Sequence, residues 1–218
     1  MSSTALVLDF GGVISRTLFE THDDNEKALG VPAGTLDWFG PFDPPSDPLW
    51  QRMQRDEISE RDYWHQRAQD VAALVGQRDW SMVDMVQALR GDRPDSAIRP
   101  EAQVAIAAAH AAGHKLAILS NELDLFYGEG FAASLPLLEP FDVIVDATYT
   151  GILKPDPAAY AACCDALGLP ANRCVFVDDQ KRNIDGGIKA GMHCVHFDVH
   201  RPEQSYRNAL DTLNSLQD

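Results

Sequence analysis

Ala5-Leu6-Val7-Leu8-Asp9-Phe10-Gly11-Gly12-Val13 is the stretch whose reading decides the fold. Its aliphatic run suits a strand buried on both faces, as in a parallel sheet, and the run meets a carboxylate followed by glycines. The expectation is a first strand over residues 5–13 that delivers Asp9 to a loop. In open α/β sheets ligands bind in the crevice beyond the carboxyl ends of the strands, which makes an acid at that place suspicious as chemistry. An Asp close to glycines is also an ordinary turn signal, so the rest of the chain has to decide.

Beyond Pro100 the pattern alternates between helix and strand. Pro100 to Ala112 opens with Pro and Glu, both favoured at a helix start, and Gly113 is placed to end it. Strands follow at Lys115–Leu119, Phe141–Val145, Cys174–Val177 and Met192–Phe197, with helices at Pro157–Leu167 and Asn183–Ala190 between them. Strands separated by helical stretches of this length argue for βαβ units in one parallel sheet. Three of the five strands run into polar groups: Asp9, Ser120, and the pair Asp178-Asp179. Parallel strands present their carboxyl ends on one edge, so these groups converge there although far apart in sequence.

Residues 16–99 differ from their flanks. They hold all four tryptophans (Trp38, Trp50, Trp64, Trp80) and show helical periodicity without a β-branched run of strand length. Helices are expected over Phe19–Leu29, Leu49–Arg55, Ser59 to about Val75, and Ser81–Leu89 ending at Gly91, with a proline-stiffened loop from Asp37 to Pro48. Ser59 with Asp62 three residues on resembles a capping box. The organisation read from this is a core of residues 1–15 and 100–218 and a helical cap of residues 16–99 lying over the Asp9 crevice. Its tryptophans are read first as the cap's own core. A terminal helix from Arg201 carries Leu210, Leu213 and Leu216 on its apolar side.

At 218 residues, 45% hydrophobic and 23% charged, the chain is an ordinary globular protein of one domain or one domain with an insertion. Its net charge of −15 argues against binding nucleic acid through the overall field, since phosphate neutralisation needs clustered Lys and Arg. An anionic substrate then needs a local device, and a divalent metal is the obvious one. No apolar stretch reaches the length of a membrane span and no secretory leader pattern opens the chain, so the expected location is cytoplasmic. Cys163, Cys164, Cys174 and Cys194 lack metal-binding spacing and read as buried free thiols.

The strand-end groups have a definite chemistry. Three carboxylates from two strands offer oxygen ligands to a hard cation such as Mg²⁺, which keeps several waters and takes few protein ligands. Lys154, set between prolines in Gly151-Ile152-Leu153-Lys154-Pro155-Asp156-Pro157, is able to pair with Asp9 and with an anionic substrate. Ser120 adds a hydroxyl. The bland alternative makes Lys154 a solvated loop residue and Asp178-Asp179 a charged turn.

Four stretches in order, Leu6 to Val13, Ile118-Leu119-Ser120-Asn121, Lys154-Pro155-Asp156-Pro157 and Val175-Phe176-Val177-Asp178-Asp179 with Asn183 beyond, resemble the motifs of the haloacid dehalogenase-like (HAD) hydrolase superfamily. The resemblance covers nearly the whole chain except the cap. It implies an α/β fold with a Rossmann-like three-layer parallel sheet core and an inserted helical cap. It also implies that Asp9 is a nucleophile forming an aspartyl intermediate, that Ser120 and Lys154 serve catalysis by binding the transferring group together with Asn121 and Gly12, and that Asp9, the Gly11 carbonyl, Asp179 and Asp178 hold Mg²⁺.

One departure matters. Phosphatases of this superfamily usually carry a second Asp two residues after the nucleophile, protonating the leaving oxygen and then activating water; this chain has Gly11. General acid-base assistance is worth about 10² to 10⁴ in rate, so alkyl phosphates should suffer more than substrates with good leaving groups. Arg16, His22, Asp23 and Asp24 are candidates to carry the proton instead. Three readings result: a Mg²⁺-dependent hydrolase of a small phosphorylated metabolite, a 2-haloacid dehalogenase in which Asp9 displaces halide without metal, and a non-catalytic relative that binds a metabolite or protein. The absent second Asp and Ser120-Asn121 suit the dehalogenase, while two anions at residues 178 and 179 oppose it.

Overall fold

The computed structural model describes residues 3–90 and 97–216. In chain order the elements are β1 (Ala5–Leu8), α1 (His22–Leu29), α2 (Pro48–Gln54), α3 (Glu60–Leu74), α4 (Met82–Arg90), α5 (Pro100–Ala111), β2 (Lys115–Ser120), α6 (Leu123–Tyr127), β3 (Val143–Asp146), α7 (Ala147–Thr150), α8 (Pro157–Leu167), β4 (Cys174–Asp178), α9 (Lys181–Lys189), β5 (His193–His196) and α10 (Pro202–Ser215), with short 3₁₀ turns among them. The chain divides into two compact units, one of residues 1–16, 98–124 and 129–218, the other of residues 17–97 and 125–128. No helix among the described residues is long and apolar enough to cross a membrane.

The first unit is built on a five-stranded sheet, order β3-β2-β1-β4-β5, with every pairing parallel. β1 is central, and all four of its residues are fully buried, as a strand covered on both faces requires. Alternation divides them between two layers. Ala5 and Val7 join Ala117, Leu119 and Phe176 in a core with Tyr160, Cys163 and Ile184 from α8 and α9. The opposite face is covered by α5 and α10. This is the α/β, Rossmann-like three-layer arrangement expected from the alternating pattern. Cys163, Cys164 and Cys174 are buried and Cys194 partly so, all as free thiols.

The first strand is shorter than the sequence suggests. It stops at Leu8 rather than at Val13. Asp9 still donates its N–H to Val177 O (2.9 Å), but its carboxylate then accepts the Phe10 N–H at 2.8 Å. Ser15 N closes the loop onto Phe10 O (2.9 Å). Gly11 (φ −68°, ψ 129°) and Gly12 (φ 76°, ψ −26°) turn the chain out of the sheet. Hydrophobicity beyond Asp9 therefore reports burial in a wide turn, not strand.

Two glycines inside α9 have a packing reason. A Cβ on Gly186 would lie 2.5 Å from Tyr160 Oη, and one on Gly187 would lie 2.8 Å from Cys194 Sγ and 2.9 Å from Phe176 Cδ1. Glycine in a helix interior costs about 0.5–1 kcal/mol relative to alanine, and here it lets α9 approach the sheet.

The second unit is helical and has its own aromatic core. The Phe19 ring meets those of Trp38, Trp50, Tyr63 and Trp64 with centroids 5.3–6.4 Å apart. Trp38 and Trp50 are buried, and Trp64 and Trp80 partly so. Beneath them the buried Asp47 accepts from Trp50 N (2.8 Å), Tyr63 Oη (2.7 Å) and Arg67 (2.6 Å). The expected capping box opens α3, with Ser59 and Asp62 bonding each other's backbone N–H. The helix end expected at Gly91 falls outside the described residues. In the first unit, α10 buries Tyr206, Ala209 and Leu213, while Leu210 is only partly covered.

The tight seat of α9 predicts that Gly187→Ala loses about 1–3 kcal/mol, the usual cost of overpacking. Urea unfolding checks this, and a variant as stable as the parent contradicts it.

Candidate active site

Strand register brings the acids together. Leu8 stands level with Val177 on one side and Ile118 on the other, so one further step puts Asp9 level with Asp178. Neighbouring strands are about 4.8 Å apart, which sets two carboxylates side by side at the carboxyl edge. Asp179 completes the group: ligand oxygens of Asp9, Asp178 and Asp179 all lie within 4.8 Å of one another. Asp178 is fully buried and Asp9 nearly so.

Lys154 makes this concentration of charge tenable. Its ammonium is buried and sits 2.9 Å from Asp9 Oδ1 and 2.7 Å from Asp178 Oδ2. Burial alone would lower the lysine's pKa; the charges of Asp178 and Asp9 and their hydrogen bonds outweigh it, and the net shift is upward, so Lys154 stays protonated. It is not a solvated loop residue. Its backbone is clamped by Asn121, whose Nδ2 donates to Lys154 O (3.1 Å) while Oδ1 accepts from Lys154 N (2.7 Å). Asn121 thus commits both ends of its amide to the lysine.

Asp178 is held from its other side. It accepts from Gln180 N at 2.8 Å and from Asn183 Nδ2 at 3.1 Å on each oxygen. Tyr160 Oη donates to Asn183 O (2.6 Å), which fixes the first turn of α9. Asn183 Oδ1 is buried without a hydrogen-bond partner. The Asp179 carbonyl is tied to His196 Nε2 at 2.9 Å.

Gly12 and Asp179 are in close approach. With Gly12 at φ +76°, a backbone that other residues rarely adopt, a Cβ there would also stand 2.5 Å from Asp179 Oδ2 and displace that carboxylate. Gly11 differs: a Cβ there would meet no heavy atom within 4 Å, and its φ of −68° suits any residue. Ser120 ends β2 and is buried, its Oγ 3.4 Å from Glu122 N.

Asp9, Gly12, Lys154, Asp178 and Asp179 therefore form one constellation, with Asn121 behind Lys154 and Ser120 on the adjoining strand. Among the proton-carrier candidates, His22 is buried in the second unit beside Trp38 and Phe39, centroids 4.7 and 5.1 Å away, with neither ring nitrogen hydrogen-bonded. Burial depresses its pKa, so it is neutral at pH 7. Asp23 and Asp24 are exposed on α1.

Asp146 escaped the sequence reading. It ends β3 and accepts from Leu123 N (3.2 Å), Asp124 N (2.8 Å) and Thr148 N (2.9 Å), stapling the segment that follows Ser120. Its signal was present: Val143-Ile144-Val145-Asp146 repeats the apolar-run-then-Asp pattern of β1, so Asp146 joins Asp9, Ser120 and Asp178 among the polar groups at the strand ends.

The donor set of three carboxylates, all hard oxygen, fits a cation of the Mg²⁺ class. The chain's likeness to known proteins agrees with the fold. It is 32% identical over 117 residues to Phosphatase MT3486 of Mycobacterium tuberculosis (strain CDC 1551 / Oshkosh), covering 54% of this chain and 53% of that protein. It is 27% identical over 180 residues to (S)-2-haloacid dehalogenase 4A of Burkholderia cepacia, covering 78% of each. In three dimensions it follows the L-2-haloacid dehalogenase RSc1362 with a TM-score of 0.64 at 19% identity, over 98% of this chain and 100% of that one. The chain spans about half the length of the phosphatase it matches. The haloacid dehalogenase-like hydrolase profile matches residues 4–191, across the strands that deliver Asp9, Ser120, Asp178 and Asp179, and the chain belongs to that family.

Proposed function

We propose that the protein is a Mg²⁺-dependent phosphatase of a small phosphorylated metabolite, with Asp9 as nucleophile. The observation that carries this reading is the single ammonium of Lys154 set against three carboxylates. One positive charge against three negative leaves these four groups at −2, a charge that a divalent cation matches and that an anionic substrate alone would oppose.

Phe10 N and Lys154 Nζ both contact Oδ1 of the Asp9 carboxylate. A carboxylate oxygen of Asp9 attacks phosphorus; the P–O bond to the leaving group breaks, and water hydrolyses the resulting aspartyl phosphate. Lys154 holds the attacking carboxylate in orientation and keeps it ionised without itself losing a proton. Asp9, Asp179 and the Gly11 carbonyl would hold the metal directly, while Asp178, already bound to Lys154, Asn183 and Gln180 N, would serve mainly to fix the lysine. Mg²⁺ there would supply charge neutralisation for the transferring phosphoryl group. Ser120, Asn121 and the backbone at Gly12 complete its surroundings. With glycine at position 11 the leaving oxygen departs without a proton from that site, which selects for good leaving groups.

The second reading, hydrolysis of a 2-haloacid, is favoured by Gly11 and by the likeness to (S)-2-haloacid dehalogenase 4A over 78% of the chain. Phosphate release from p-nitrophenyl phosphate and acetyl phosphate with Mg²⁺, abolished by excess EDTA, is the expected result. Metal-independent chloride release from 2-chloropropionate, with no phosphate release, would establish the other reading.

Asp9→Asn is expected to fold and to lose turnover, since an amide is not a nucleophile here; undiminished phosphate release by that variant removes Asp9 from the role. Gly11→Asp, for which a Cβ has room, is expected to raise kcat on poor leaving groups by about 10-fold or more, within the range of general acid catalysis. A leaving-group series with no gain at its slow end contradicts the account of Gly11. Lys154→Met leaves two buried carboxylates uncompensated and is expected to cost about 3–5 kcal/mol at pH 7. Because the folded-state pKa of Lys154 is raised, its contribution is complete below the unfolded value of about 10.4 and is lost only as pH climbs through the folded one. Urea unfolding of parent and variant should therefore differ by a constant amount between pH 7 and 9; a gap that closes in that window contradicts the assignment.

A further inference from the structure

We propose that Arg99 and Tyr206 are positioning residues of the Asp9 centre, acting as a two-point clamp on consecutive carbonyls of the reactive loop. Arg99 Nε donates to Gly12 O at 3.0 Å, and Tyr206 Oη donates to Val13 O at 2.9 Å. Both side chains are 3% exposed. Phe197 unites them: the Arg99 guanidinium lies over its ring at 5.5 Å, and the Tyr206 ring meets it edge-on with centroids 5.1 Å apart. Burial pushes the Tyr206 pKa up, so its hydroxyl remains a donor across the working range.

The loop needs such a clamp. Gly11 and Gly12 have no side chains to anchor them, and glycine has the most backbone freedom to lose on ordering. The backbone is non-helical at both, with ψ 129° at Gly11 and φ 76° at Gly12. Arg99 also donates its backbone N–H to Ile14 O (3.0 Å), and Ile98 bridges Ser15 in antiparallel fashion, so three consecutive carbonyls, Gly12 to Ile14, are taken up. Gly12 in turn sets the room available to Asp179, whose carboxylate occupies the space a Cβ would fill. A shift of the Gly12 peptide therefore moves the relation between Asp9 and Asp179 without touching either.

The kinetic arm of the test rests on the phosphatase reading; a second arm does not. Arg99→Met, Arg99→Lys and Tyr206→Phe are assayed with p-nitrophenyl phosphate and Mg²⁺, and the peptide covering residues 8–16 is followed by hydrogen exchange. Arg99→Met should lower kcat by about 10²-fold, the scale of a misplacement of about 1 Å, with KM changed by less than about threefold. Millimolar guanidinium should restore part of that loss, and Tyr206→Phe should show a smaller fall. Exchange of the loop should quicken in Arg99→Met and Tyr206→Phe while exchange of β4 stays as in the parent. Should Arg99→Met fail to fold, Tyr206→Phe carries both arms. Parental kcat with parental loop exchange in the folded variants overturns the proposal, as does a loss that guanidinium leaves untouched with loop exchange unchanged. A parent that hydrolyses no phosphate ester sinks the phosphatase reading alone; loop exchange then decides the clamp, quickened for it and unchanged against it.

Discussion

The buried ammonium of Lys154, held between Asp9 and Asp178, is the interaction on which the arrangement of this centre depends. Parallel register forces Asp9 and Asp178 to the same level on adjacent strands. Two desolvated carboxylates at that spacing repel, and each carries a desolvation penalty of several kcal/mol. A third charge of opposite sign with excellent geometry is the remedy, and it has to be placed rigidly. The structure does so by binding both backbone polar groups of Lys154 to the amide of Asn121. Asn183 and Gln180 N then fill the remaining acceptor sites of Asp178. The result is a buried polar network whose members are mutually required, the condition under which such networks specify one geometry.

That network divides labour among the acids. Asp178 accepts from Lys154, Asn183 and Gln180 N, whereas the Asp179 carboxylate lies against Gly12. Glycine at position 12 is dictated by the Asp179 carboxylate 2.5 Å from where a Cβ would be. Glycine at position 11 is dictated by nothing comparable, since its conformation and surroundings accept a side chain. A Cβ at position 11 has room, and the absence of an acid there biases the proposed reaction toward leaving groups that need no proton.

Much of the fold was legible because buried strands advertise themselves. Lys115–Ser120 and Cys174–Asp178 are short apolar runs ending in polar residues, and α5 and α8 carry Pro at their starts with Gly113 and Gly168 just past their ends. The end of β1 was misjudged because Phe10, Val13 and Ile14 are as buried as strand residues while lying in a turn. Asp9, the lysine and the acid pair were readable as strand-end chemistry. Their supports were not: Asn121 serves Lys154 from 33 residues away, Arg99 reaches Gly12 across 87, and Tyr206 reaches Val13 across 193. Nothing in local pattern distinguishes a buried Arg or Tyr with such a duty from one that merely packs.

The central claim is that Asp9, oriented by Lys154, is phosphorylated during turnover. The most direct measurement is to quench the protein during hydrolysis of acetyl phosphate with Mg²⁺, reduce it with borohydride, and map the product by mass spectrometry. Borohydride converts an aspartyl phosphate to homoserine. The account predicts homoserine at position 9 and nowhere else, absent when substrate or metal is withheld. Continued phosphate release with Asp9 unmodified, or homoserine at another acid, would contradict it.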